Sequence, residues 1–201
     1  MAIQPVSLPQ VMMGLKGFLQ PEQLVLSIVA GAALASLCHG LDHRAVIRAM
    51  PNMPAQIGEG VSIWTATNKI KEEHKQKARS ILSTLGKEIF ASDERYVDMA
   101  TAVSGSGPAY IFLIIESLID AAVHIGLPRE LAQELVLQTM SGTIHLAQKS
   151  AKHPAELRNL VTSPGGTTAE GLLQMEEGGL RALLAQAILA SYEKAKALSG
   201  E

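Results

Sequence analysis

One change of pattern, near Ser92 and Asp93, limits what this 201-residue chain can fold into. Before it, short apolar and β-branched runs alternate with helical stretches, and after it almost no strand pattern remains. Because strands that alternate with helices form largely parallel sheets, we predict an α/β domain over residues 1–92 and an all-helical domain over 93–201. The predicted strands are Leu24–Val29, Ala45–Met50, Val61–Thr67 and Lys87–Ala91, and the predicted helices between them are Leu8–Leu19, Leu34–Leu41 and Lys71–Leu85.

The second domain begins with a helix predicted over Tyr110–Ile125 that is apolar on nearly all sides. Its most apolar part, residues 111–125, is shorter than the ~20 residues of a membrane span and is interrupted by charged side chains. We therefore expect a buried helix and no membrane partner. Further helices are predicted from Pro128 to about Lys149, from His153-Pro154 to about Val161, from Thr168 to Glu177, and through the C-terminal residues.

Composition indicates association between copies of the chain. Aromatic residues make up only 3% of the sequence, so small and aliphatic side chains must fill the core, which favours close helix packing. Left alone, such helices would expose large apolar surfaces, and an interlocked homodimer would cover them. The last helix carries a seam for a partner helix at spacings of three and four: Leu180, Leu184, Ala187, Ser191, Ala195 and Leu198.

Charge and cysteine content narrow the function further. The formal net charge of −2 predicts no nucleic-acid partner. The single Cys38 cannot form an internal disulfide and no secretory signal follows Met1, so we expect the cytoplasm. Glu116, Asp120 and His124 recur every four residues and could chelate a metal, but such a stripe more often forms a hydrogen-bonded seam, so we expect no metal.

No dinucleotide fingerprint, G-x-G-x-x-G between a strand and a helix, occurs in the sequence. Gly58-Glu59-Gly60 continues into a predicted strand, and Gly105-Ser106-Gly107 continues into a helix, so neither has the third glycine or the right neighbours. A P-loop lysine pattern and a G-x-S-x-G elbow are missing as well, which excludes nucleotide hydrolysis and α/β-hydrolase chemistry.

The hydroxyl-rich turn Thr162–Thr168 leads directly into a helix and is the strongest candidate site. Two adjacent glycines let successive N–H groups converge, and the free N–H groups of a helix start favour a carboxylate or phosphate. The alternative is an ordinary N-cap formed by Thr167 or Thr168. Capping needs one hydroxyl rather than four, and this surplus argues for a ligand.

Two other loops are weaker candidates. Ser104–Tyr110 could bring bare backbone close to a ligand, but Ser106 as a simple N-cap explains it more readily. Met50–Pro54 places Asn52 at the carboxyl end of a predicted parallel strand, where open α/β folds bind ligands, and Ala30-Gly31 holds the equivalent position after the first strand. An ordinary turn at the end of a strand, marked by its prolines, explains the Met50–Pro54 loop equally well.

The order and content of several segments resemble one family, pyrroline-5-carboxylate reductase. Its helical domain is matched by S-G-S-G-P-A-Y at 104–110, G-L-P-R-E-L-A at 126–132, H-P-A-E-L-R at 153–158, V-T-S-P-G-G-T-T at 161–168 and E-G-G-L-R at 177–181. The later part of its dinucleotide-binding domain is similar to I-Q-P at 3–5, A-G at 30–31, M-P-N-M-P at 50–54 and G-E-G at 58–60. The resemblance implies an α/β plus all-α fold, with a partial Rossmann-type parallel sheet and then a helical dimerisation domain of the 6-phosphogluconate-dehydrogenase-like kind.

The same resemblance implies an NAD(P)H-dependent oxidoreductase of proline biosynthesis that converts 1-pyrroline-5-carboxylate into L-proline. It implies a homodimer, often assembled further into rings, with the active site at the domain junction. Thr168 would be the catalytic residue, hydrogen-bonded to the ring nitrogen of the substrate. The substrate carboxylate would be held by Ser163, Gly165, Gly166 and Thr167, with a pocket wall formed by Ser104, Gly105, Ser106 and Gly107. The nicotinamide side of NADPH or NADH would be lined by Pro5, Ala30, Gly31, Asn52 and Pro54.

The sequence departs from the family pattern at its amino end. Met1–Ile3 matches only the end of a strand, and the glycine-rich turn, within roughly two βαβ units of about 30 residues each, is not matched. Gln4 and Asn159 stand where the family has lysine and often aspartate. We therefore expect an incomplete cofactor site, an exposed sheet edge and weakened reductase activity in these residues. The alternative hypothesis is a non-catalytic dimerisation or proline-binding module derived from the family.

Overall fold

A computed structural model describes residues 1–68 and 70–199. The chain packs as two compact units, which we call the sheet unit and the helical unit. The sheet unit is Met1–Pro108 together with the chain from Ala187 onward, and the helical unit is Ala109–Gln186. The predicted domains over 1–92 and 93–201 divide the sequence differently and stay a prediction.

The sheet unit holds four strands in the order β1-β2-β3-β4, each within two residues of its predicted bounds. They are β1 (Val25–Ser27), β2 (Val46–Met50), β3 (Gly60–Ala66) and β4 (Gly86–Phe90). The outer pairs, β1 with β2 and β3 with β4, are parallel, as predicted. The partial Rossmann-type sheet is thus confirmed, with one correction: β2 and β3 are antiparallel, which makes the sheet mixed.

Link length explains this correction. A parallel connection needs a crossover of a dozen or more residues, usually a helix. The links between the parallel strands contain α2 (Leu34–Leu41) and α3 (Glu72–Ser83), whereas residues 51–59 between β2 and β3 contain only the 3-10 turn Met53–Ile57. That short link can return the chain only in the opposite direction.

The sheet is covered on both faces. Because successive side chains of a strand point to opposite faces, Val46 joins the cluster under α2 while Ile47 joins the cluster under α3. Leu37 and Leu41 fill the first cluster, together with partly buried residues of α1 (Leu8–Leu15), and Trp64 is the largest side chain of the second.

Three details of the sheet unit differ from or extend the sequence predictions. The first helix ends at Leu15 instead of Leu19, since Lys16 turns extended and Gly17 has φ +82°. A short helix that the sequence did not predict, α4 (Arg95–Ala100), follows β4 and continues through a π-type turn, Thr101–Gly105. At the amino end, the Ile28 N–H donates to the Met1 carbonyl at 3.0 Å, so the first residues run beside β1 as the end of a strand would.

The predicted helices of the second half are all present. They are α5 (Gly107–His124), α6 (Arg129–Lys149), α7 (Pro154–Leu160), α8 (Thr167–Glu177) and α9 (Leu180–Ser199). Gly126, with φ +106°, follows α5, and Pro128 is the N-cap of α6. The His153 ring accepts from the Ala155 N–H at 3.2 Å and forms a capping box at the start of α7.

Part of the apolar seam of α9 packs against the chain itself, and its pairing with a partner helix stays a prediction. From Ala187 onward the helix packs within the sheet unit: Ser191 lies 3.1 Å from Ser106 between hydroxyl oxygens, and Leu198 lies against Gly31. Of this part of the seam only Ala195 is buried by the chain's own residues, and Leu198 stays 53% exposed. Leu180 and Leu184, at the start of α9, remain exposed.

The helical unit has almost no interior of its own. All of its residues, 109–186, are described, and Ala132 is the only buried one. Most of α5, predicted to be buried on several sides, therefore has exposed apolar residues such as Phe112 and Leu113. By length and composition alone, the helical stretch Arg95–His124 could cross a membrane, which is weak evidence. The expectation of no membrane partner stays a prediction.

Candidate functional site

The Thr162–Thr168 turn is shaped by two glycines. Gly165 has φ +67°, in the left-handed region that favours glycine. A side chain at Gly166 would begin 2.5 Å from the Ser163 hydroxyl oxygen and 3.1 Å from the Ser163 carbonyl oxygen, so that hydroxyl would have to rotate away. The Gly166 N–H donates to the Ser163 carbonyl at 3.0 Å. This hydrogen bond helps to close the turn, and the predicted role of Gly166 in holding a carboxylate stays a prediction.

The start of α8 leaves several hydrogen-bond donors unused. Gly166 is the N-cap and has no side chain, so the alternative that Thr167 or Thr168 caps this helix is wrong. Among residues 1–68 and 70–199, no group accepts from the N–H of Gly165, Thr167 or Thr168. The hydroxyls of Ser163, Thr167 and Thr168 have no partner in that part of the chain either. The turn thus offers three N–H groups and three hydroxyls to a small anion.

The electrostatics of this turn come from the backbone. Between Arg158 and Glu170 the chain carries no titratable side chain. The N-terminus of a helix carries about half a positive charge, from N–H groups that have no carbonyl to bond. An anion at this turn would therefore be held by dipoles and hydroxyls whose strength does not change with pH near neutrality.

The Ser104–Gly107 turn lies in the sheet unit, where the π-type turn meets α5. The Ser106 N–H donates to the Thr101 carbonyl at 2.8 Å, and the Ser104 hydroxyl donates back to the Ala100 carbonyl at 2.9 Å. The Ser106 hydroxyl pairs with that of Ser191. A π-type turn is rare and is frequently found at functional sites. Here it widens the helix just where two glycines leave the backbone bare.

The residues predicted for the nicotinamide side share one edge of the sheet. Three segments, the first residues of the chain, β1 and β2, run in the same direction. The residues that follow them lie at the edge where β1 and β2 end: Pro5, Ala30-Gly31 and Asn52-Pro54. Gly31 has φ +73°. The Asn52 side-chain oxygen accepts from the Val61 N–H at 2.8 Å, which ties this loop to the start of β3.

The two candidate turns belong to different units. Gly105 lies beside the β2 edge: a side chain there would begin 3.2 Å from the Met50 methyl carbon. Ser163–Thr168 belong to the helical unit. In the stripe Glu116, Asp120 and His124, Asp120 accepts from Arg129 at 2.8 Å, and the described residues contain no group of three or more ligands suited to a metal. The expected absence of a metal stays a prediction.

One buried charge near these loops was missed from the sequence. Arg48 lies in the middle of β2 and pairs with Glu94 and Asp98. Burial disfavours its charge, but hydrogen bonds to Asp98 and Glu94 outweigh burial, and the pKa of Arg48 lies above its ordinary value. The available signal was a charged residue inside an apolar strand, A-V-I-R-A-M, followed later by two carboxylates four residues apart.

A family model and several curated relatives identify the family of this chain. The family described as pyrroline-5-carboxylate reductase dimerisation matches residues 94–198. The pyrroline-5-carboxylate reductase of Synechocystis sp. is 40% identical over 198 residues, which are 98% of this chain and 73% of that relative. The chain belongs to the pyrroline-5-carboxylate reductase family. It spans about three quarters of its relatives, since the Escherichia coli enzyme, 36% identical, is covered to 74%.

Solved structures of the pyrroline-5-carboxylate reductase family share the fold. The crystal structure of Plasmodium falciparum pyrroline carboxylate reductase with NADP bound matches with a TM-score of 0.93 and 35% identity, over 98% of this chain and 80% of that one. The Coxiella burnetii pyrroline-5-carboxylate reductase matches with a TM-score of 0.88 and 37% identity, over 98% and 74%. The predicted family and fold are confirmed, and the family is one of oxidoreductases. The roles of individual site residues stay predictions.

Proposed function

We propose that this chain binds 1-pyrroline-5-carboxylate and reduces it to L-proline, with NADPH or NADH as the hydride donor. The observation that carries the proposal is the uncapped start of α8. Hydrogen bonds from its free N–H groups and hydroxyls to a carboxylate are charge-assisted and contribute on the order of 1.5–3 kcal/mol each. Two or three of them are enough to hold a small imino acid without a basic side chain.

The turn assigns its groups to two parts of the substrate. The N–H groups of Gly165 and Thr167, with the hydroxyls of Ser163 and Thr167, bind the carboxylate. The Thr168 hydroxyl, one residue further into α8, hydrogen-bonds the ring nitrogen. Because both parts of the substrate are held by consecutive residues of one rigid helix start, the imine bond is fixed in direction as well as in place.

The chemistry demands little acid–base work from the chain. In the protonated imine, C5 is already electrophilic. A bound NADPH or NADH supplies a hydride, so that the C=N double bond becomes a C–N single bond with a new C–H bond and the cofactor is oxidised. Ser163–Thr168 orient C5 and shield the carboxylate charge, and we assign no residue as an acid.

The residues on the cofactor side fit the nicotinamide end of such a donor. The carboxyl end of parallel strands is where open α/β sheets bind ligands, and Pro5, Ala30-Gly31 and Asn52-Pro54 lie at that edge. The Asn52 amide nitrogen has no partner among the described residues, which leaves it free to donate to a carboxamide oxygen. The sequence has no G-x-G-x-x-G, so this edge accounts for binding of the nicotinamide part of the cofactor only. The weak reductase activity expected of the 201-residue chain stays a prediction.

A second copy of the chain completes the proposal. The exposed apolar residues of α5 and α6 lie within the region matched by the family's dimerisation description, so we propose that another copy covers them, with no membrane partner. Assembly of such dimers into rings and location in the cytoplasm, suggested by the single Cys38, are further parts of this proposal.

The test compares two threonines. Thr168→Val keeps the shape of the side chain but removes the hydroxyl, and Thr143→Val makes the same change at an exposed position of α6. We expect Thr168→Val to lower kcat/KM for the cyclic imine about 10- to 100-fold, the loss of one hydrogen bond made in the transition state, and Thr143→Val to leave it within about twofold. Gly166→Ala, whose added carbon would displace the Ser163 hydroxyl, should weaken L-proline binding about 10-fold in calorimetry, the loss of one hydrogen bond to the carboxylate.

The outcomes separate the two hypotheses. NADPH oxidation that depends on the imine and falls in Thr168→Val supports the reductase. L-proline binding without any NADPH binding favours the non-catalytic module. Equal L-proline binding by the original chain and Gly166→Ala contradicts both, because the turn would then play no part in recognition.

A further inference from the structure

The buried cluster around Arg48 joins four elements of the sheet unit through one guanidinium group. Arg48 is 2% exposed, and its nitrogens lie 2.8 Å from Glu94 Oε1 and 2.6 Å from Asp98 Oδ1. Glu94 Oε1 also accepts from the Leu34 N–H at 2.8 Å, and Asp98 Oδ1 accepts from the Ser199 hydroxyl at 2.7 Å. The cluster thereby connects β2, the start of α2, α4 and the end of α9.

Each connected element runs directly into a candidate site loop. The start of α2 follows Ala30-Gly31, and β2 ends two residues before Asn52. The α4 helix continues through its π-type turn into Ser104–Gly107, and α9 carries Ser191 against Ser106. A displacement of Glu94 and Asp98 would therefore move the Ser104–Gly107 turn relative to the loops at the end of β1 and β2.

Stability alone does not explain a charge at this place. A buried ion pair contributes little more than apolar residues of the same size would, because desolvation of both charges offsets their attraction. What a guanidinium adds is direction: its planar fork fixes the angle of each carboxylate it binds. Arg48 holds the carboxylates of Glu94 and Asp98 at a set distance from β2. An apolar contact in the same place would let the helical segment slide along the sheet.

We propose that Arg48 is a positioning residue that fixes the Ser104–Gly107 turn against the loops at the carboxyl ends of β1 and β2. It acts through Glu94 and Asp98 rather than by touching a substrate. Its consequence for catalysis rests on the proposed function, whereas its control of the turn can be measured in a chain with no activity at all.

The experiment combines hydrogen exchange with kinetics in the full chain. Arg48→Lys keeps the charge without the fork, and Arg48→Met removes both. Lys77→Met is the control on the exposed side of α3, where Lys77 is paired with Glu73. We expect amide exchange in residues 101–107 to rise about 10-fold in Arg48→Lys and about 100-fold in Arg48→Met, with β3 unchanged within about twofold. In the same variants, kcat should fall by similar factors while KM for the imine changes less than about threefold, since the carboxylate turn is in the helical unit.

Several results would overturn the proposal. Exchange that rises equally in β3 and in residues 101–107 would show a merely structural role, and unchanged exchange in the turn would show no role. A selective rise with unchanged kcat would remove the catalytic consequence. If Arg48→Met does not fold, Arg48→Lys and the milder Ser199→Ala, expected to raise exchange in the turn about threefold, decide the question. A selective rise in a chain that never oxidises NADPH supports the positioning and contradicts the proposed function instead.

Discussion

In the sheet unit Leu37, Ile47 and Trp64 are fully buried, whereas in the helical unit Ala132 is the only buried residue. Both units are rich in aliphatic side chains, so the difference lies in what covers them. The sheet unit covers its apolar residues with its own helices on two faces. The helical unit presents long helices whose apolar residues remain in contact with water.

The two units should therefore depend on association to different degrees. A segment that buries almost nothing cannot offset the entropy of ordering its own backbone, about 1–2 kcal/mol per residue. If a second copy covers the helical unit, as proposed, the stability of that unit should depend on protein concentration, while the core of the sheet unit should not.

The largest effect is expected from a charge on the exposed surface of α5. Leu113 is 62% exposed, and in Leu113→Glu a dimer would have to bury two carboxylates, one from each copy, where it had buried two leucines. We expect dimer affinity to fall at least about 100-fold, measured by sedimentation, with loss of helical signal at low concentration. The control is Ile81→Glu on α3, whose side chain is 52% exposed in the sheet unit. An unchanged dimer in Leu113→Glu would show that another surface carries the association.

Truncation of a buried side chain in the sheet unit should have a smaller effect, a loss of stability that does not vary with protein concentration. Leu41→Ala removes a fully buried side chain and should lower the free energy of unfolding by about 2–5 kcal/mol, followed by the fluorescence of Trp64, the one tryptophan of the chain. Ile57→Ala, at a side chain 76% exposed, should cost less than about 0.5 kcal/mol. If the loss in free energy of unfolding caused by Leu41→Ala grew as the protein was diluted, the stability of the sheet unit would depend on association as well.

Local structure followed from the sequence because its signals are local. Predicted strands and helices fall within a few residues of those observed, since turn glycines, prolines and apolar spacing act over one or two turns of chain. The antiparallel β2–β3 pair was missed, although the shortness of residues 51–59 was visible. The α9 seam shows the limit most clearly: spacing reveals that a helix has an apolar side, but not which surface will cover it.

The candidate site could be predicted to the same extent. Ser163–Thr168 form one continuous turn, and its residue types are sufficient to predict an anion site at a helix start. That Gly166, and not a threonine, would be the N-cap depends on backbone angles that the sequence does not state. Arg48 was missed because its partners lie 46 and 50 residues away, and pairing at that separation is decided by the fold.

In a unit without a core, local hydrogen bonds at helix ends should carry a large share of the remaining stability. His153 caps α7 through its ring, so His153→Ala should lower the free energy of unfolding of the helical unit by about 1 kcal/mol, measured by the helical signal in urea. His153→Asn supplies another side-chain acceptor and should restore most of it. Equal losses in both variants would mean that the ring acts by packing rather than by capping.

The smallest effect is expected from an exposed ion pair of the helical unit. The Arg181 guanidinium donates to Glu176 at 2.7 Å and, with its charge, lowers the pKa of that carboxyl below its ordinary value. A lowered carboxyl pKa means that the pair's contribution is complete above the ordinary value of about 4.3 and is lost as the pH falls through the lowered one. Arg181→Gln should return the Glu176 titration, followed by NMR, to the ordinary range without changing stability measurably at pH 7, since water and salt screen this pair. The buried Arg48 cluster of the sheet unit is not screened in this way. If the titration midpoint of Glu176 stayed low in Arg181→Gln, another positive charge, such as Arg158, would control the pKa of Glu176.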